Sequence, residues 1–143
     1  MTPKVNECVK AEMTRERIIE SNILIVDDCP FNILAIQQIL EKEGFKTEFS
    51  TNGQDAIDKI KSFEFDLVLM DCEMPVLDGW ETTNKLKSME KEGVLAKVPF
   101  IIGHTSHNYD EIKEKCLEMG MDDVLLKPCP RIDLINTVKK WIN

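Results

Sequence analysis

Residues 23–28 read Ile23-Leu24-Ile25-Val26-Asp27-Asp28, an apolar and largely β-branched run that stops on two acids. An apolar run of this length without polar alternation suits a strand covered on both faces, as in the middle of a parallel sheet. A second run of the same kind, Leu67-Val68-Leu69-Met70, also stops on an acid, Asp71. Between the two lie the elements a crossover needs. The spacing of Ile33, Ile36 and Leu40 predicts a helix over about 30–43, closed by Gly44, and a short strand follows near 45–49. Asn52-Gly53 then turns the chain into a second helix, which carries Ala56, Ile57 and Ile60 and ends near Phe63.

Beyond Asp71 the alternation continues. A helix is predicted over about 80–89, a strand over 98–102 with Pro99 suited only to its start, and a helix over 109–119 ended by Gly120. A short strand at 124–126 and a last helix at about 132–142 complete the pattern. Strands and helices in strict alternation predict a doubly wound α/β fold, a parallel sheet with helices on both faces reached by right-handed crossovers. A length of 143 residues suits one domain. Residues 1–21 break the pattern: they are rich in charge, with a thin apolar spacing of Val5, Val9 and Met13, and are read as an N-terminal linker or appendage to a domain at 22–143.

Composition narrows the function. A formal net charge of -8 argues against nucleic acid or anionic lipid as partner, since both are bound mainly by clustered Lys and Arg. No apolar run approaches the roughly 20 residues of a membrane-spanning helix, and the first residues lack a signal-peptide block, so a cytoplasmic location is expected. The five cysteines, Cys8, Cys29, Cys72, Cys116 and Cys129, are scattered without a CxxC pair and read as free thiols in a reducing compartment. His104 and His107 alone make a weak metal signal.

In doubly wound sheets, ligands bind at the carboxyl ends of the strands near the point where strand order reverses. Those ends here carry Asp27 and Asp28, then Asp71, then Thr105-Ser106, then Lys127-Pro128. Crowded carboxylates resist ionising unless a cation compensates, and an all-oxygen set of this kind suits Mg²⁺ (or Mn²⁺). Lys127 would neutralise a phosphoryl oxygen and Thr105 would donate to another, which is what phosphoryl transfer to a carboxylate asks of a protein. Taken singly, each feature has a plain structural explanation: Asp27-Asp28 equally suits a helix N-cap, Asp71 the start of a turn, and Lys127-Pro128 an exposed lysine before a strand break. The specific signal is their joint occurrence at four strand ends.

With these motifs the chain resembles the receiver domain of two-component response regulators. The resemblance rests on ILIVDD at 23–28, LVLMDCEMPVLDGWE at 67–81, Thr105-Ser106 and DDVLLKP at 122–128, and covers about residues 22–143. It implies a flavodoxin-like sheet of strand order 2-1-3-4-5. It also implies that Asp71 is the phosphoacceptor, that Asp28 binds Mg²⁺ directly with Asp27 as its water-mediated companion, and that the Glu73 backbone carbonyl is a further ligand. Lys127 would contact the phosphoryl group, Thr105 would be the switch hydroxyl, and Pro75 and Gly79 would shape the loop after the acceptor.

The stretch Asp27-Asp28-Cys29-Pro30-Phe31-Asn32 and DCEMPVLDG at 71–79 are similar to receivers of hybrid histidine kinases and phosphorelays. That subclass implies a histidine kinase or histidine phosphotransfer protein as partner and a domain that catalyses its own phosphorylation and dephosphorylation. No DNA-binding output is expected within a sequence ending at Asn143. Val124 stands three residues before Lys127 where many relatives carry Tyr or Phe, so the usual threonine-aromatic switch cannot operate. Ser106 replaces a commoner alanine, MEKEGVLAKVP lengthens the connection before strand four, and Glu73 and His107 occupy positions that tune water access. Rival readings fit less well. Asp71-Cys72-Glu73 lacks the second aspartate of aspartyl phosphohydrolases, and no Ser/Thr/Gly-rich loop follows strand one as in flavin modules.

Overall fold

The computed structural model describes residues 22–74, 77–106 and 109–142, with Tyr109 described by its backbone alone. The lead-in at 1–21, Pro75, Val76, His107, Asn108 and Asn143 lie outside the described residues, and with them the expectations placed on the appendage, on Pro75 and on His107.

The elements alternate strictly. In chain order they are β1 (Asn22–Val26), α1 (Pro30–Lys42), β2 (Lys46–Ser50), α2 (Gly53–Ser62), β3 (Leu67–Asp71), α3 (Gly79–Lys91), β4 (Phe100–Thr105), α4 (Tyr109–Glu118), β5 (Asp123–Leu126) and α5 (Arg131–Ile142). All strands pair in parallel, in the order β2-β1-β3-β4-β5. Strand order therefore reverses between β1 and β3, the place where a doubly wound sheet opens a crevice.

The apolar runs are continuous because the central strands are covered twice. Leu24 and Val26 of β1 and Val68 and Met70 of β3 join one core with Ala56, Ile57 and Ile60 of α2 and Leu86 of α3. Ile23 and Ile25, Leu67 and Leu69 point the other way, onto Ile33, Ile36 and Leu40 of α1 and Leu134 and Val138 of α5. Adjacent strand residues face opposite sides, so a run apolar at every position fills both layers. Each fully buried Leu or Ile here contributes about 1.5–3 kcal/mol.

Helix starts are chemically marked. Pro30 opens α1, where a missing N–H does no harm. The side chain of Asn52 accepts from the Asp55 N–H at 2.8 Å, and that of Asp78 from the Glu81 N–H at 2.8 Å, capping α2 and α3. Gly44, at φ 95°, takes the left-handed conformation that ends α1.

β4 departs from the sequence expectation: it starts after Pro99 and continues past Ile102 to Thr105. Gly103 and His104 look like strand breakers in isolation, but β4 lies between two strands that use its backbone groups. Asp71 pairs with His104 on one side, and Gly103, His104 and Thr105 pair with Val124, Leu125 and Leu126 on the other. A central strand whose N–H and C=O groups are all claimed by neighbours overrides local propensity.

Candidate functional site

The register carries the strand ends to one rim. Val26 pairs with Met70 and Met70 with Gly103, so the residues that follow, Asp27 and Asp28, Asp71, and Thr105, emerge together, and Lys127 follows β5 beside them. Among the described residues Asp27, Asp28 and Asp71 form the group able to hold a metal ion, with carboxylate oxygens within 4.8 Å of one another. Asp27 and Asp71 are buried, whereas Asp28 is exposed at the mouth.

Lys127 is the local countercharge. Its Nζ lies 3.2 Å from Asp27 Oδ2 and 3.2 Å from Asp71 Oδ1, bridging the two buried acids. Burial opposes its charge, but the Asp71 and Asp27 carboxylates outweigh burial and hold the ammonium above its ordinary pKa. Asp27 is fixed further by the Cys29 N–H, which donates to Oδ1 at 2.9 Å, and by Asn32 Nδ2, which donates to Oδ2 at 3.4 Å. Asp27 thus does have a local turn role, but the N-cap of α1 is Cys29, without a side-chain cap bond.

Asp71 accepts from the Glu73 N–H at 3.2 Å. Its carboxyl is pushed up to about 6, first by desolvation and also by the Asp27 charge, against the lowering effect of that N–H and of Lys127. One cation does not fully compensate the two buried carboxylates.

Thr105, fully buried, donates through Oγ1 to Glu73 Oε1 at 3.0 Å, and the Lys127 N–H donates to the Thr105 carbonyl at 2.7 Å. Thr105 and Lys127 are therefore joined through the backbone. Glu73, expected as a metal ligand through its backbone carbonyl and as a position that tunes water access, enters this structure by its N–H to Asp71 and its carboxylate to Thr105. Gly79 presses on Asp71: a Cβ there would lie 2.2 Å from the Asp71 carbonyl oxygen, so a glycine is needed for α3 to start this close to β3. Val124 is buried in the α2–α3 core. Ser106 is exposed beside the site.

Two features escaped the sequence reading. His104 is buried, its Nε2 lacks a hydrogen-bond partner, and its pKa is lowered to about 4 by burial and then by Lys127, so the ring is neutral. Cys72 and Cys116, far apart in sequence, place their sulfurs 3.5 Å apart.

Strand order and site define a class, the flavodoxin-like α/β modules that gather carboxylates, a lysine and a hydroxyl at one sheet rim. Within that class the chain belongs to the response regulator receiver domain family, whose model matches residues 23–139. It is 34% identical over 129 residues to the hybrid signal transduction histidine kinase B of Dictyostelium discoideum, covering 85% of this chain and 7% of that protein. It is 40% identical over 119 residues to the sensor histidine kinase GacS of Pseudomonas protegens, covering 83% of this chain and 13% of that protein. The chain thus spans a small fraction of the length of these relatives.

Among solved structures it resembles the receiver domain of the sensor histidine kinase PA1611 from Pseudomonas aeruginosa, which has a magnesium ion coordinated in its active site cleft. There the TM-score is 0.74 and the identity 32%, over 86% of this chain and 98% of that one. It also resembles the Saccharomyces cerevisiae receiver domain of Ssk1, crystallised with the histidine phosphotransfer protein Ypd1. That match has a TM-score of 0.80 and 29% identity, over 86% and 89% of the two chains. The protein is a receiver domain of two-component phosphorelay signalling. No helix among its described residues is long and apolar enough to cross a membrane.

Proposed function

We propose that Asp71 is the phosphoacceptor, taking a phosphoryl group from a phosphohistidine in a Mg²⁺-dependent (or Mn²⁺-dependent) reaction. The observation that carries this reading is the cluster of Asp27, Asp28 and Asp71, bridged by Lys127. Its donors are all oxygen, they converge, and two are buried with incomplete charge compensation, which fits a hard divalent cation. Asp27, Asp28, Asp71 and the Glu73 backbone carbonyl would hold the ion. When bound, it supplies neutralisation of the phosphoryl oxygens.

The chain's own residues supply the rest. Asp71 attacks phosphorus through a carboxylate oxygen, the bond to the histidine nitrogen breaks, and an aspartyl phosphate results. Lys127 transfers its contact from carboxylate to phosphoryl oxygen. Thr105 leaves Glu73 to donate to the phosphoryl group, and the Lys127 N–H bond to its carbonyl carries that shift into β5. Release of the phosphoryl group to water at the same site completes the cycle.

A histidine kinase or a histidine phosphotransfer protein is the partner. Phe31 and Leu34 of α1 and Ile132 of α5 are exposed at 83%, 55% and 61%, an apolar collar on the two helices that follow Asp28 and Lys127. Such a collar suits a protein donor. The same reading takes residues 22–143 as a receiver domain working in the cytoplasm and residues 1–21 as an N-terminal linker or appendage. Incubation with acetyl phosphate and Mg²⁺ is expected to label the protein and leave Asp71→Asn unlabelled; equal uptake by the variant would sink the assignment.

A further inference from the structure

Next to the acceptor lies a second reactive group that phosphoryl acceptance does not use. Cys72 follows Asp71 directly, and its sulfur is 3.5 Å from that of Cys116 on α4. Both are free and fully buried. Gly103 lies against both sulfurs: a Cβ there would meet Met121 Sδ at 2.7 Å, Cys72 Sγ at 3.2 Å and Cys116 Sγ at 3.4 Å. Trp80 Nε1 donates to Cys116 Sγ at 3.2 Å, and Lys115 Nζ stands 3.7 Å from the centre of the Trp80 ring.

We infer that Cys72 and Cys116 are a redox-active dithiol that a hydroperoxide converts to a disulfide, tying the acceptor strand to α4 and slowing phosphoryl acceptance at Asp71. The geometry is near closure. A disulfide needs about 2.05 Å between sulfurs, so the two must approach by about 1.5 Å, and Gly103 beside them presents no Cβ to obstruct the approach. Cys116 is the attacking sulfur. Hydrogen bonds from Cys72 and Trp80 stabilise its thiolate, and its pKa falls to about 7, against burial. Its sulfur touches Trp80, itself only partly buried, so one side chain separates it from solvent, and local opening at α4 admits a small oxidant.

The chemistry balances. Cys116 thiolate attacks one peroxide oxygen, the O–O bond breaks, and the departing hydroxide takes a proton to become water. The Cys72 sulfur then attacks Cys116 sulfenic acid, the S–S bond forms, and the hydroxyl leaves with the Cys72 proton as a second water. Two electrons pass from the sulfurs to the peroxide. Closure reaches Asp71 because the Cys72 backbone is part of the site: its N–H donates to the His104 carbonyl at 3.0 Å and its carbonyl accepts from Gly79 at 3.1 Å.

The test treats the reduced full chain with hydrogen peroxide, traps remaining thiols by alkylation, and maps linked peptides by mass. A link joining Cys72 to Cys116, reversed by dithiothreitol, is expected. Acetyl phosphate labelling of the linked protein should be about tenfold slower, within what a displacement of order 1 Å costs a reacting group. The Cys8→Ser, Cys29→Ser, Cys129→Ser triple variant should form the same link, and Cys116→Ser should keep its labelling rate in peroxide. No link, a link between other cysteines, or unchanged labelling of the linked protein would overturn the inference. The link is read by mass, independently of whether Asp71 is the acceptor.

Discussion

Asp71 is an acid held where its charge is poorly solvated, and His104 is a base held where its charge is refused. Their effects on stability run in opposite directions with pH. Between 3.8 and about 6 the folded protein keeps a proton on Asp71 that the unfolded chain has released. Stability therefore falls as pH rises through that window, by about 3 kcal/mol for a shift of this size. Between about 4 and 6.5 the unfolded chain keeps a proton on His104 that the folded protein lacks, so stability rises with pH by a similar amount. In metal-free solution the two should nearly cancel. Asp71→Asn removes the falling contribution, and its urea midpoint should climb from about pH 4.5 to about 6.5; His104→Leu removes the rising one, and its midpoint should fall. Urea melts of both variants in a chelating buffer decide the matter, and slopes of the same sign would refute it.

Among the elements, α3 is the one built against Asp71. Gly79 opens it where a Cβ would stand 2.2 Å from the Asp71 carbonyl oxygen, a contact with backbone that no side-chain rotation relieves. Gly79→Ala should destabilise the fold by about 1–3 kcal/mol and slow acetyl phosphate labelling, because β3 must shift. Asp78→Ala one residue earlier removes the cap bond to Glu81, costing about 1 kcal/mol, and should leave labelling unchanged. Equal labelling by the two variants would detach α3 from the site. These elements also show what was legible in the sequence. β1 and β3 declared themselves because doubly covered strands are apolar at every position. The far half of β4 did not, since Gly103 and His104 are held there by neighbouring strands. The acids, Thr105 and Lys127 could be read from strand ends, where topology alone brings them together. The Thr105–Glu73 bond and the Cys72–Cys116 contact join residues 32 and 44 apart, and side-chain meetings of that kind leave no periodic trace.

For the molecule as a whole, the proposed ion site would couple cation binding to folding. The chain carries a net charge of -8, and its three-carboxylate cluster assembles only when β1 and β3 are paired. A cation that binds the assembled cluster and not the unfolded chain stabilises the fold by about 1.4 kcal/mol at ten times its Kd. A rise of a few degrees in Tm follows for a domain of about this size. Mg²⁺ should thus raise Tm with saturation, whereas a monovalent salt at matched ionic strength only screens. Asp28 separates ion binding from the stability of the cluster, because it is exposed and lies outside the Lys127 bridges. Asp28→Asn should therefore melt within about 0.5 kcal/mol of the parent without Mg²⁺ and lose most of the Mg²⁺-induced rise. Thermal melts of both proteins across a Mg²⁺ titration measure this; equal rises in parent and variant would remove the ion from the rim formed by β1 and β3.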